Sequence, residues 1–358
     1  MKGFSRRSIL KMGATAMVGA AVPFVKAGNA QASTTTLRVA TWGGSWRDSI
    51  DKNVSSRLAE KGIKVEYVLG NPDDNIAKLI AARRQGQVPF DVIEFTSAQE
   101  AALIRGKMLE EVDYDRIPNA KSIPDWARAP SIVAPQFTPD GIIYNADRLN
   151  VPKDKLPQRY SDLKELEVKS HLAFPNTSNV GHWSTVVGLA YDQGGSEQNM
   201  RPALDFVNAL KPSFYYSAST DLAMKFGSDD IVIAPWQSSW GVRLRKSGKN
   251  VAVVYPKIGS HTGGLLPTPS GIVKGTPNSA AAHMFINEFL SPEAQAGHGL
   301  ATGSVPVTRE ARKKMAEDPI LAAMLLISDE QVENAFRVDW SKLDEMAWLQ
   351  MWNRGLKR

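Results

Sequence analysis

The chain contains no cysteine in 358 residues. This excludes disulfides, thiolate metal sites, iron–sulfur clusters, a cysteine nucleophile and a lipid-modified cysteine anchor. Its five histidines (His171, His182, His261, His283 and His298) are scattered, with no pair at metal-ligand spacing. No apolar run reaches the ~20 residues of a membrane-crossing helix. A Gly-x-Ser-x-Gly elbow, a His-Glu-x-x-His motif, a P-loop and a dinucleotide-binding glycine fingerprint with its acid are also missing. There is no internal repeat and no low-complexity tract. What remains is globular composition, 43% hydrophobic and 22% charged, in a chain longer than one small core usually uses.

An excess of positive charge is present, and its location matters. The formal net charge is +6, which would favour nucleic acid or a membrane surface as partner. Residues 1–32 read as an export signal: a basic start at Ser5-Arg6-Arg7-Ser8, an apolar middle from Met12 to Val25, and the small-residue site Ala30-Gln31-Ala32. The paired arginines fit a twin-arginine signal, and an ordinary secretory signal holding two arginines is the alternative. Five of the 43 basic residues (Lys2, Arg6, Arg7, Lys11 and Lys26) and none of the 37 acids lie there, leaving 38 against 37, a formal +1. Cleavage after Ala32 would leave 326 of the 358 residues. The expectation is a periplasmic protein without stable membrane insertion and without a nucleic-acid partner.

The remaining chain alternates strand and helix signals. Leu37 to Thr41 reads as a strand, Ser45 caps a helix with Trp46, Ile50, Val54 and Leu58 on one face, and Gly62 stops it. Ile63–Leu69 is a strand and Asp73 opens a helix. Phe90–Phe95 is a strand, followed by a helix over Ser97–Arg105. Pro118, Pro124, Pro130, Pro135 and Pro139 predict short pieces from about 118 to 140. A second set follows, with strands at His171–Phe174, Asp230–Ala234 and Val251–Tyr255 and helices at Val180–Gln193, Pro202–Leu210 and Leu222–Phe226. From Arg309 to Trp352 the tail reads as mainly helical, with Trp340, Trp348 and Trp352 as packing anchors. The class is α/β with mixed or mostly parallel sheet flanked by helices.

Ligands of open α/β sheets sit beyond the carboxyl ends of strands, which selects candidates. After the first strand stand Trp42, Gly43 and Ser45, where glycine lets a ligand approach the backbone; Trp46 reads as core. After the third stands Ser97, with Thr96 before it. The polar turn Asn176-Thr177-Ser178 with His182 and Trp183 follows the strand at 171–174. Trp236 and Gln237 follow the strand at 230–234, and Asp140 sits where the proline-rich segment ends.

Seven pieces, in this order, carry a family likeness: R-V-A-T-W-G-G-S-W (Arg38–Trp46), F-D-V-I-E-F-T-S (Phe90–Ser97), G-I-I-Y-N-A-D-R-L (Gly141–Leu149), I-V-I-A-P-W-Q-S-S-W (Ile231–Trp240), P-K-I-G with P-S-G-I-V-K-G (Pro256–Gly275), F-I-N-E-F-L-S-P-E-A-Q-A (Phe285–Ala296) and G-S-V-P-V (Gly303–Val307). The chain resembles periplasmic substrate-binding proteins of ABC transporters, within the group of spermidine/putrescine-binding and ferric-ion-binding proteins. The resemblance implies a type II two-lobe fold with a solute cleft and two crossovers, near 139–145 and 259–267. Lobe one would hold 33–140 plus 268–358, and lobe two 146–262. It implies a small-molecule solute, an inner-membrane permease as partner, a monomer, and no cofactor, metal or catalysis. It also implies that an aromatic at Trp236 stacks on the solute. Ferric relatives place tyrosines there, so ferric binding is not expected. Polyamine relatives carry an acid in the crossover strand, where this chain has Gly264-Leu265-Leu266-Pro267-Thr268. A polyamine-like amine is the favoured solute and an organic anion, carboxylate or phosphonate, the alternative. A periplasmic hydrolase or oxidoreductase is the rival from another class.

Overall fold

Strand β1 (Thr35–Thr41) buries Leu37 and Val39 and leaves Thr36 exposed. The computed structural model of the protein describes residues 34–149, 151–166, 171–176 and 183–357. Gly44 adopts φ 63°, a left-handed conformation suited to glycine. Helix α1 (Ser45–Ile50) then continues through a wider turn into α2 (Ser56–Ala59). Ile50, Val54 and Leu58 are buried on one face, as their spacing predicts. Strand β2 (Ile63–Leu69), helix α3 (Pro72–Arg83), strand β3 (Val92–Glu94) and helix α4 (Ser97–Arg105) complete the first unit. β1 pairs in parallel with both β2 and β3.

Short 3-10 turns follow between 114 and 127, as the prolines predict. The rest of that segment departs from the expectation. After β4 (Arg128–Ala129), strand β5 (Ile132–Asn145) runs unbroken through Pro135 and Pro139. Proline removes one ladder donor. At Pro139 the loss falls between two neighbours of β5, one pairing at Gln136–Phe137 and the next beginning at Asp140.

The second unit contains β6 (Ala173–Pro175), α5 (Trp183–Asp192), α6 (Arg201–Leu210), β7 (Phe214–Tyr216), α7 (Ser219–Gly227), β8 (Ile233–Gln237), α8 (Ser238–Lys246) and β9 (Val251–Val254). The hairpin β10 (Lys257–Ile258) and β11 (His261–Thr262) leads into β12 (Gly264–Ile272). Helices α9 (Ser279–Phe289) and α10 (Pro292–Thr302), strand β13 (Val305–Pro306) and helices α11 (Arg309–Met315), α12 (Pro319–Met324), α13 (Asp329–Glu333) and α14 (Glu345–Gly355) end the chain.

Strand β5 organises the sheet. The order is β13-β5-β12-β3-β1-β2, and β5 also pairs with β8 over Asp140–Tyr144 and with β9 over Ile142–Asn145. β5 and β12 are antiparallel, with Asp140 opposite Gly264. Neighbouring residues of one strand serve different cores: Ile143 packs with a cluster that joins Leu37 and Val39 of the first unit to Phe226 and Val242 of the second, and Ile142 with the cluster under α5, α6 and α14. The tail joins β12 as well. Leu265 N–H donates to the Phe336 carbonyl (2.8 Å) and Phe336 N–H to the Gly263 carbonyl (2.8 Å). Trp348 and Trp352 are buried anchors, as expected; Trp340 is half-buried.

Candidate functional site

A cavity of about 580 Å³ lies at the carboxyl ends of five strands. β1 delivers Trp42, Gly43, Ser45 and Trp46; β2 delivers Asn71, Pro72 and Asp73; β3 delivers Thr96 and Gln99. From the other side come Ser217–Thr220 after β7, and Gln237, Ser239, Trp240 and Arg243 after β8. Thr138 of β5 and Thr268 of β12 are shared by both sides. Local sequence fixes these edges. Asn71 Oδ1 accepts the Asp74 N–H (2.9 Å) with Pro72 at the first helical position. Thr96 N–H donates to Gln99 Oε1 (3.1 Å), and Gln99 Nε2 reaches across to Asp73 (3.2 Å), tying α4 to α3.

Aromatic rings form two walls. Trp42 stands edge-on to Trp46 (5.2 Å), and Trp46 edge-on to His298 (4.6 Å). Opposite, Trp240 stacks on Trp236 (5.6 Å, 11°), which stacks on Phe226 (5.6 Å, 21°). The Arg243 guanidinium sits 4.5 Å from the Trp240 ring centre. It donates to the Thr302 carbonyl at 3.4 Å. Among the described residues no carboxylate stands within ion-pair distance of it. Burial pulls its pKa down. An incompletely compensated cation on a cavity wall is a receptor for an anion.

Behind the walls lie buried ionisable groups. Glu94 accepts from Thr41 Oγ1 and from Trp46 Nε1 (3.2 Å), and burial pushes its carboxyl up to about 7. Burial, helped by the Arg243 charge, holds His298 down at about 3, so the ring is neutral at pH 7.

A smaller cavity of about 140 Å³ adjoins the same helix start. Ser97 and Glu100 of α4, Leu265–Pro267 of β12, Ser184, Trp126, Arg337 and Trp340 line it. Behind Ser184 is Asp140, which accepts the Ser184 hydroxyl; its Oδ1 is buried without a partner, and burial pushes its carboxyl up to about 7.

The structure sorts the sequence candidates. Trp42, Gly43, Ser45 and Gln237 line the larger cavity and Ser97 the smaller. Asn176 is buried one side chain behind the wall, its Nδ2 donating to Ser217 Oγ (3.2 Å). Asp140 is buried and lines neither cavity. Trp183 packs edge-on against Trp340 and Trp348. Trp236 is 0% exposed, sandwiched between Phe226 and Trp240, with its Nε1 donating to Ser219 Oγ (3.1 Å). A ring covered on both faces cannot stack on a solute, so Trp236 is core and Trp240 presents the aromatic surface in its place. Trp46, which the sequence places in the core, faces the cavity. Thr177, Ser178 and His182 lie outside the described residues. Sequence reading missed Asn71–Asp73, Ser217–Thr220, Trp240 and Arg243. Gln237, which caps α8, and Trp240 and Arg243 on it recur every three residues, the spacing of one helix face, and that signal could have found the last two.

Walls contributed by two strand groups, a cleft at strand ends and aromatic faces beside a lone guanidinium are the design of a solute-binding protein. The chain belongs to the bacterial extracellular solute-binding protein family, which it matches over residues 58–323. It is 23% identical to the gamma-aminobutyric acid-binding protein of Pseudomonas aeruginosa over 74% of this chain and 75% of that one. Two solved structures share the two-lobe type II fold. An ABC transporter substrate-binding protein from Bradyrhizobium japonicum has a TM-score of 0.76 at 17% identity, covering 90% of this chain and all of that one. The spermidine/putrescine-binding protein of Streptococcus pneumoniae has a TM-score of 0.73 at 17% identity, covering 89% and 97%.

Proposed function

We propose that the protein is the solute-carrying component of an ABC importer, delivering a small amino-acid-like solute to an inner-membrane permease. The lobes would be 33–140 plus 268–358 and 146–262, closing about β5 and β12. The observation that carries the solute class is Arg243, a half-buried guanidinium on the cavity wall with no carboxylate in ion-pair reach among the described residues. A solute carboxylate supplies that partner. Asp73 on the opposite wall and the faces of Trp42 and Trp240 suit an amine at the other end. A pure polyamine would set cation beside cation at Arg243. The name of the Pseudomonas relative agrees with a solute that has both groups.

Titration calorimetry tests this with gamma-aminobutyrate and spermidine. Gamma-aminobutyrate should bind and Arg243→Gln should weaken it at least about tenfold, some 1.4 kcal/mol. Tight spermidine binding that ignores Arg243→Gln would replace the amino-acid reading with a polyamine one.

A further inference from the structure

A second guanidinium repeats the surroundings of Arg243. Arg337 lies 4.6 Å from the Trp126 ring centre, as Arg243 lies 4.5 Å from that of Trp240. One Arg337 amino group donates to the Val332 carbonyl (2.7 Å), while its buried Nε has no hydrogen-bond partner. Burial pulls its pKa down, and the Glu333 charge acts the other way. Among the described residues no carboxylate stands within ion-pair distance of it. Arg243 lines the larger cavity and Arg337 the smaller.

The two cavities flank one feature. Thr96 and Gln99 face the larger and Ser97 and Glu100 the smaller, all in the first turn of α4. On β12, Thr268 faces the larger and Leu265–Pro267 the smaller. The compartments are therefore on the order of one helix diameter apart, about 10 Å. Each holds a guanidinium stacked on tryptophan and one carboxyl, Asp73 in the larger and Glu100 in the smaller. Serine hydroxyls of Ser97 and Ser184 complete the smaller wall.

We propose that Arg337 is a second anion anchor, and that the solute carries acid groups at both ends, one on Arg243 and one on Arg337. This deepens the amino-acid reading above and rests on it. The class is an amino dicarboxylate long enough to pass the α4 turn. A single-acid amine fills only the larger compartment. The smaller, at about 140 Å³, has room for a carboxylate head and the carbons beside it.

The experiment is titration calorimetry of the purified protein with gamma-aminobutyrate, alpha-aminoadipate and meso-diaminopimelate. At least one two-acid probe should bind about tenfold more tightly than gamma-aminobutyrate. Arg337→Gln should weaken that probe about tenfold more than it weakens gamma-aminobutyrate, and Arg337→Lys should restore part of the difference. Thermal unfolding of each variant checks that it folds, and the wild-type comparison of probes needs no variant. Equal affinity for one-acid and two-acid probes overturns the second anchor, as does an Arg337→Gln variant that weakens all probes alike. If gamma-aminobutyrate binds through Arg243 while the two-acid advantage is missing, only the second anchor falls. If no probe binds the wild type, the Arg243 reading falls with it.

Discussion

Asp140 is the residue whose chemistry is most at odds with its place. A carboxyl at the crossing of β5 and β12, 0% exposed, has one hydroxyl partner and an orphan oxygen. Its folded value of about 7 lies above the ~3.9 of an unfolded aspartate. Such a group holds its proton more tightly when folded. Its contribution is complete below pH ~4 and is lost as pH rises through the folded value near 7. Three pH units correspond to roughly 4 kcal/mol as an upper limit. Asp140→Asn keeps the acceptor for Ser184 and removes the charge. It should change stability little at acid pH and raise it at pH above 8 by about 1–3 kcal/mol, with Glu94 still supplying its own slope in the same window. Urea unfolding across that range gives the answer, and a uniform loss at every pH would show that Asp140 is ionised and needed as such. Residue-scale reading of the sequence picked out Trp42, Gly43 and Ser45, which line the larger cavity, because a strand end and glycine dictate exposure there. It failed at Trp236 because sequence shows the residue type and not which face of the strand is covered: Phe226 and Trp240 come from α7 and α8 and close both sides of the ring.

At the element scale, legibility followed local punctuation. Helix α4 runs over Ser97–Arg105 and β2 over Ile63–Leu69, as the sequence predicts, because caps, glycines and periodicity agree there. β5 was read too short because a proline inside a strand argues against it, and only the change of neighbours at Pro139 makes it harmless. β7, with three residues, carried too little pattern to be read, and with it went Ser217–Thr220 of the site. The crossover itself depends on a glycine. A Cβ at Gly264 would stand 2.6 Å from Ser184 Cβ and Oγ and 3.3 Å from Asp140 Cβ. Gly264→Ala should therefore push α5 off the crossover and cost about 1–3 kcal/mol, and should lower solute affinity because Ser184 lines the smaller cavity. Chemical denaturation with a parallel calorimetric titration reads both effects; an unchanged unfolding midpoint would mean that α5 moves freely against β12.

Over the whole molecule, the question is whether two lobes behave as one thermodynamic unit. Two-lobe proteins often unfold in steps. Here the cores are stitched together: β5 gives Ile143 to one cluster and Ile142 to the other, β8 gives Ala234 and Trp236 to the first and Ile233 to the second, and the tail runs beside β12 before covering the second cluster with Trp348 and Trp352. Melting either cluster uncovers strands that the other needs. The cavity adds a second link, because its walls at Trp42 and at Trp240 with Arg243 belong to different strand groups and a solute touches both. One calorimetric transition is therefore expected without solute. Gamma-aminobutyrate at a hundred times its Kd should stabilise the native state by about 2.7 kcal/mol, moving that transition up by roughly 5 °C. The peak should move as a whole. Two resolved transitions, with solute shifting only one of them, would show that the solute engages a single lobe and that the shared strands do not couple the cores.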